Sequence, residues 1–263
     1  GLVKGGDRVG IAQAQAMIDL ANDAGFEYLD TAQAYLGAIE LLPKLELHNL
    51  KIISKLFLAG NVDQLESYFV KLINVFGERC TDVLVHDPEK LSQSEICQLF
   101  DSFNSLKSKY DIKLGLSIYE PNMLKMYDSY FDNLNVVQAP CNVFDNRLAQ
   151  SEYFNNLKCH GVKIHSRSVF LQGLLLMDIN SLPKKLLKAR HHILALRSFV
   201  EDNNLDLLQV CLWHALQKGF DGTVVGVNSV GHLADIVSFA KDVPSLCFDY
   251  EIIDADETLI DPR

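Results

Sequence analysis

The chain has 263 residues, 48% of them hydrophobic, and a formal net charge of −10. That is ample apolar material for one sizeable core, at a length ordinary for an α/β barrel. The excess of acid argues against nucleic acid or an anionic membrane as the main partner; no apolar run is long enough to span a bilayer and no signal-peptide pattern is present, so a soluble cytoplasmic protein is expected.

Residues 1–10 are rich in glycine and charge and read as a loop. Residues 11–24 place Ala12, Ala16, Ile18, Leu20 and Ala21 near one helical face, and Gly25 ends that helix. A strand is predicted at 26–30, a short helix interrupted by Pro43 at 39–47, and a second strand at 51–55. Helix 63–77, strand 81–86 and helix 92–109 follow, the last with Ser92 or Ser94 as cap and Glu95 behind it. Then come strand 112–118, helix 121–131 with Pro121 in its first turn, strand 135–139, helix 146–160 ended by Gly161, and strand 162–166. Helices within 184–203 and 205–219, strand 222–227 and helix 230–241 complete the pattern, and an acidic tail from Val243 is expected to wrap the surface. Strands that alternate with helices make a parallel sheet, and in a closed barrel their C-terminal ends meet on one face. No linker, repeat or low-complexity stretch divides residues 1–263, so a single domain is expected.

Six cysteines (Cys80, Cys97, Cys141, Cys159, Cys211 and Cys247) show no CxxC and no paired spacing, which fits reduced thiols. No zinc, P-loop or nucleophile-elbow pattern occurs, and no metal site is expected.

Three strand ends carry the chemistry. Asp30 closes the first predicted strand and Tyr35 follows it by five residues; Lys55 ends the second strand and His86 the third. An acid, a phenol, an amine and an imidazole gathered on one face form a proton-transfer set. Asp30-Thr31-Ala32 with Tyr35, Ser54-Lys55 and Val85-His86-Asp87-Pro88 resemble the motifs of the aldo-keto reductase superfamily. Its later signatures appear in order: Gly115-Leu116-Ser117, the run from Val136 to Asp145, Gln172-Gly173-Leu174-Leu175, and Val225-Gly226-Val227-Asn228-Ser229. The resemblance covers nearly the whole chain except its start. It implies a (β/α)8 barrel; seven strands are predicted, and the family has a further strand before the first of them, apparently missing from this chain.

The resemblance also implies roles. Tyr35 would be the general acid in the reduction of an aldehyde or ketone by NADPH or NADH. A phenol with a pKa of about 10 donates poorly at neutral pH, and a neighbouring ammonium, Lys55, brings that pKa down. Asp30 would hold Lys55 charged and oriented, and His86 would hydrogen-bond the carbonyl. Ser117 and Gln138 would hold the nicotinamide carboxamide; the family's Asn beside the serine is here Ile118. Arg167 stands where many members stack an aromatic ring; it can stack, bind phosphate or a carboxylate, or pair with a surface acid. Ser168 to Gly173 would pass the pyrophosphate, and Gly226, Asn228 and Ser229 would meet the ribose end at a helix N-terminus. Gly226 and His232 stand where NADPH-preferring members carry a Lys and an Arg, and Asp235 adds negative charge nearby. After the tyrosine the family reads Gly-x-Ser-Glu, and this chain reads Leu36-Gly37-Ala38-Ile39-Glu40. The partner would be a small carbonyl compound, with the chain a monomer or weak homo-oligomer. The competing reading is a non-catalytic barrel of the same family that binds a cofactor or a protein.

A cationic clamp on the 2′-phosphate would discriminate by several decades, because each charge-assisted hydrogen bond contributes roughly 1.5–3 kcal/mol. Without it, NADPH is expected to bind no more than about tenfold more tightly than NADH. Dissociation constants for the two check this; a preference of about a hundredfold would reveal an unrecognised cation at the ribose.

Overall fold

The computed structural model describes residues 10–35, 37–182, 184, 187 and 190–244; the predicted N-terminal loop and C-terminal tail lie almost wholly outside them. Seven strands follow one another through a sheet in chain order: β1 (Tyr28–Ala32), β2 (Lys51–Leu56), β3 (Cys80–Val85), β4 (Lys113–Ser117), β5 (Val136–Pro140), β6 (Lys163–Arg167) and β7 (Gly222–Thr223). The helices are α1 (Ile11–Asp23), α2 (Ala38–Leu41), α3 (Leu65–Phe76), α4 (Gln93–Leu106), α5 (Glu152–Cys159), α6 (Arg190–Asp202), α7 (Leu207–Gln217) and α8 (Val230–Lys241). By internal contacts the described residues form two compact units, one of residues 10–139 with 151–165, the other of 140–150 with 166–244. No helix among the described residues is long and apolar enough to cross a membrane.

In the first unit β1 to β5 pair in parallel, and the register sorts every side chain to one of two faces. Asp30 pairs with Ile53, Ala32 with Lys55, Lys55 with Leu84, Leu84 with Gly115, Gly115 with Val136, and Ser117 with Gln138. These residues share one face. Ile53, Leu84 and Val136 form its apolar floor, with Tyr28 packed against them. The opposite face is buried too, which is why the strands read as near-continuous apolar runs. Helix α3 buries Leu65, Phe69, Leu72 and Phe76, and α4 buries Ile96, Leu99, Phe100, Phe103 and Leu106, both at helical spacing. Ser92 caps α4 in a reciprocal capping box with Glu95. In the second unit α6, α7, the β6 loop and α8 share a core that includes Phe170, Leu174, Leu196, Cys211 and Ile236.

Five predicted elements differ. The helix expected at 39–47 is only α2 and a 3-10 turn at Leu42–Lys44, with the chain extended from Leu45, because Pro43 lacks the N–H that would continue the helix. The first strand starts at Tyr28, not at 26, because the end of α1 takes up the preceding residues: Gly25 is left-handed (φ +79°) and the Phe26 N–H closes on the Ala21 carbonyl at 3.0 Å. Asp30 is therefore the middle residue of β1 rather than its last. Residues Pro121–Asn133 are 3-10 turns instead of an α-helix; Asn122, Asp128, Ser129, Asp132 and Asn133 carry short polar side chains that compete for backbone hydrogen bonds. Helix α5 starts at Glu152, six residues late, because the intervening chain is a separate turn at 147–150, closed by the Gln150 N–H on the Asn146 carbonyl at 3.0 Å. The strand at 222–227 shrinks to Gly222–Thr223, beyond which Val224 N–H still bonds the Ser166 carbonyl at 2.7 Å.

Among the described residues Cys80, Cys141 and Cys211 are buried and Cys97 and Cys159 exposed, all as free thiols. Burial pushes the three interior thiols up to about 12, so they stay protonated and inert at neutral pH.

Gly115 is needed for the floor to close. A Cβ there would lie 2.4 Å from the Val136 carbonyl oxygen, 2.7 Å from Val136 Cγ1 and 3.1 Å from Leu84 Cγ. Gly115→Ala is expected to cost about 1–3 kcal/mol by overpacking, read as a lower urea midpoint with an unchanged slope.

Candidate active site

The site of the first unit sits on the floored face. Lys55 is almost fully buried, its side chain 3% exposed, and its ammonium forms an ion pair and hydrogen bond with Asp30 Oδ1. The other carboxylate oxygen accepts a hydrogen bond from Gln138 Nε2 at 2.8 Å. Both Asp30 oxygens are thus engaged, one by a cation and one by an amide. A carboxylate only accepts, so this contact fixes which end of the Gln138 amide faces it. Gln138 Oε1 then points elsewhere, fully buried and without a hydrogen-bond partner. Leaving a buried acceptor unsatisfied costs about 1–3 kcal/mol, which marks this atom as one that a ligand donor would satisfy. Ser117, its register partner and 1% exposed, lies beside it on the same face.

Tyr35 is brought to the ion pair by a turn. Its N–H bonds the Ala32 carbonyl at 3.0 Å, while the neighbouring Gln33 N–H bonds the Lys55 carbonyl at 2.9 Å. The Lys55 ammonium lies 5.8 Å from the Tyr35 ring centroid. Tyr35 is 47% exposed. Gly37, left-handed at φ +77°, then turns the chain into α2.

His86 continues β3 by one residue, its N–H bonded to the Leu56 carbonyl at 2.6 Å, and falls on the same face as Leu84. Its ring stacks on Phe57, centroids 4.6 Å apart and planes 14° from parallel. Asp87 is buried and accepts the Leu58 N–H at 3.2 Å, which ties the Phe57 loop to the end of β3; burial raises the Asp87 carboxyl's pKa. Phe57 and Asp87 were missed in the sequence. The adjacency of Phe57 to Lys55 and of Asp87 to His86 was the available signal.

The second unit carries the other candidates. Arg167 ends β6, and its guanidinium donates to the Ser168 hydroxyl at 3.2 Å. The loop behind it is strained: Ser168 (φ +59°), Leu171 (+47°) and Gln172 (+56°) are left-handed non-glycine residues, with Gly173 (+88°) next to them. Such residues cost of order 1–3 kcal/mol each and persist where surroundings hold them. Buried Asn142, also missed, does so by donating to the Ser168 carbonyl at 3.2 Å. Ser229 caps α8, its hydroxyl accepting the His232 N–H at 3.1 Å. The His232 ring tilts against Phe170 at 5.9 Å, with Nε2 buried and unpartnered. Gly226 and Asn228 lie in the irregular lead into α8, and Asp235 is exposed on it. No group of three or more His, Cys, Asp or Glu among the described residues could hold a metal ion.

This strand order and strand-end chemistry match one family. The pattern of the aldo/keto reductase family covers residues 2–245, and the chain belongs to that family. No curated protein matches it. An aldo-keto reductase of Bacillus halodurans is 19% identical, with 91% of this chain and 84% of that one covered and a TM-score of 0.71. The glycerol dehydrogenase of Gluconobacter oxydans is 18% identical, covering 95% and 84%, also with a TM-score of 0.71. An aldo-keto reductase of Klebsiella pneumoniae in complex with NADPH is 16% identical, covering 89% and 80%, with a TM-score of 0.65. At these identities the likeness is one of fold: the α/β fold of the (β/α)8 barrels of this family, of which seven strands are present among the described residues.

The ion pair makes a stability prediction. Lys55→Met leaves the largely buried Asp30, its side chain 12% exposed, without its cation, and breaking a buried pair on one side costs about 3–5 kcal/mol. Equilibrium unfolding in urea should show a loss of that size, well above the few tenths typical of an exposed pair.

Proposed function

We propose that the chain is a nicotinamide-dependent reductase of small aldehydes or ketones, with Tyr35 as the general acid. The observation that carries this reading is the Asp30–Lys55 pair buried under Tyr35, with the ammonium 5.8 Å from the ring. A buried ion pair is a poor device for stability alone, because desolvation offsets most of its attraction. Beside a phenol it has a use: the ammonium favours the phenolate and so makes Tyr35 a better acid. Asp30 keeps Lys55 charged inside the fold. His86, braced by Phe57, is placed on the same face to donate to a carbonyl oxygen.

The residues present fit the cofactor's head group. A carboxamide offers a donor for Gln138 Oε1, the buried acceptor that lacks a partner, and an acceptor for the Ser117 hydroxyl. The reduced nicotinamide supplies the hydride when bound. In the second unit Arg167 and the Ser168–Gly173 backbone suit phosphate oxygens, and the capped N-terminus of α8, with Gly226, Asn228 and Ser229, suits the ribose end, with Asp235 setting the local charge. NADPH and NADH are both admitted by this set, since no Lys or Arg stands at Gly226 or His232. The family membership and the Klebsiella protein's NADPH complex support the assignment.

A non-catalytic cofactor-binding barrel is the second reading. It is favoured by Ile118, fully buried with an aliphatic side chain where the family has an amide.

Fluorescence titration with NADPH and NADH establishes binding, and turnover of a panel of small aldehydes separates the readings. Tyr35→Phe should lower carbonyl reduction by about 10²–10⁴-fold, the usual value of general-acid help, with the cofactor dissociation constant nearly unchanged. Binding without turnover in the unmodified protein would favour the non-catalytic barrel, and normal turnover by Tyr35→Phe would reject its assignment.

A further inference from the structure

Gln138 does more in this fold than line a cofactor pocket. Its Nε2 is committed to Asp30 at 2.8 Å, and Asp30 is committed in turn to Lys55, whose ammonium faces the Tyr35 ring. Its Oε1 is buried and open to a donor. The two ends of one amide thus touch the two halves of the chemistry: the place for a carboxamide on one side and the acid-activating pair on the other. We infer that Gln138 is a positioning residue that relays nicotinamide docking to Tyr35, so that the acid reaches full strength only when the cofactor is in place. This rests on the reading of Tyr35 as the acid and of a nicotinamide at Gln138.

The physical route is hydrogen-bond cooperativity. A donor on Oε1 polarises the amide and makes Nε2–H a stronger donor to Asp30 Oδ2. Asp30 then presents less uncompensated negative charge to Lys55. More of the ammonium's field is left to act on Tyr35, and the phenol becomes more acidic. The charged and titratable groups that the register brings to this face are Tyr28 and Asp30 from β1, Lys51 and Lys55 from β2, the buried Asp82 and, just past the strand, His86 from β3, and Lys113 from β4; among the described residues Lys55 is within cation–π distance of the Tyr35 ring. Such a linkage has a use: without cofactor the site would hold a weak acid, and side reactions that need a strong one would be suppressed.

The test is the titration of the Tyr35 phenol by nuclear magnetic resonance in protein labelled with ¹³C at the tyrosine ring carbon bearing the hydroxyl, the signal assigned by its loss in Tyr35→Phe. It is run on the protein alone, with saturating NADPH, and with saturating adenosine 2′,5′-bisphosphate, which lacks the nicotinamide. NADPH should lower the phenol midpoint by about half a pH unit or more, and the bisphosphate should not. In Gln138→Met, similar in length but without the amide, NADPH at saturation should leave the midpoint where it was. Gln138→Asn, a milder change that keeps the amide one methylene short, should also lose the shift, and serves if the Met variant fails to fold. An equal shift in the variants, no shift in the unmodified protein, or no binding of NADPH overturns the inference. The outcome is separable from the proposed catalysis: if Tyr35→Phe reduces aldehydes normally, Tyr35 is not the acid, while the titration still reports whether Gln138 couples cofactor to phenol.

Discussion

The Asp30–Lys55 ion pair is the constraint around which the first unit is arranged. An ammonium buried to 3% exposure is tolerated only with a charged, hydrogen-bonded partner. Asp30 provides the charge, and Gln138 completes the carboxylate's hydrogen bonding from a strand 108 residues away. Most of what lies beneath the pair is apolar, with the buried Asp82 carboxylate on the same face as the register partner of Ile53. Ile53, Leu84 and Val136 make the floor, and Gly115 lets two strands and a side chain approach where any Cβ would clash. A low-dielectric floor strengthens the field of the ammonium above it. On the proposed reading, the same burial that makes the pair costly for stability would make it effective on Tyr35.

In each unit, taken by itself, connecting segments are tied down by buried polar side chains. The Asp87 carboxylate holds the Leu58 backbone and thereby the Phe57 ring against His86. In the second unit Asn142 holds Ser168 in a left-handed conformation, and the succession of positive φ angles through Gly173 turns the backbone sharply. Strain concentrated in one loop of six residues is the kind that folds keep where a ligand needs the backbone in one shape.

Much of this was legible in the sequence because it is written locally. Asp30, Tyr35, Lys55 and His86 sit beside their strands, and helix and strand periodicity places those strands to within two residues. The α4 cap and the bounds of α8 were readable from Ser92, Glu95 and Ser229 for the same reason. What was not legible depends on distant partners or on backbone hydrogen bonds that leave no composition signal. The Gln138–Asp30 bond joins two elements that only the sheet brings together. The offset of β1 comes from the glycine closure at the end of α1, the late start of α5 from the turn closed between Asn146 and Gln150, and the 3-10 turns at 121–133 from polar side chains that compete with the helical backbone. Phe57 read as one more apolar residue after a strand; only the ring stack with His86 distinguishes it.

If the buried pair is kept for chemistry rather than for stability, the two can be separated in one protein. Replacing both partners at once by apolar residues of similar size, Asp30→Leu with Lys55→Met, removes the charges without stranding either, a change commonly neutral or stabilising by about 1–4 kcal/mol, although the buried Gln138 Nε2–H then loses its acceptor, at about 1–3 kcal/mol. The decisive measurement is the unfolding free energy of this double variant taken together with its rate of aldehyde reduction. The account predicts a loss of no more than about 1–3 kcal/mol, the cost of the stranded Gln138 donor, well short of the Lys55→Met loss, and reduction lost. A double variant that reduces aldehydes at the normal rate, or one that is as unstable as the Lys55→Met single variant, would contradict it.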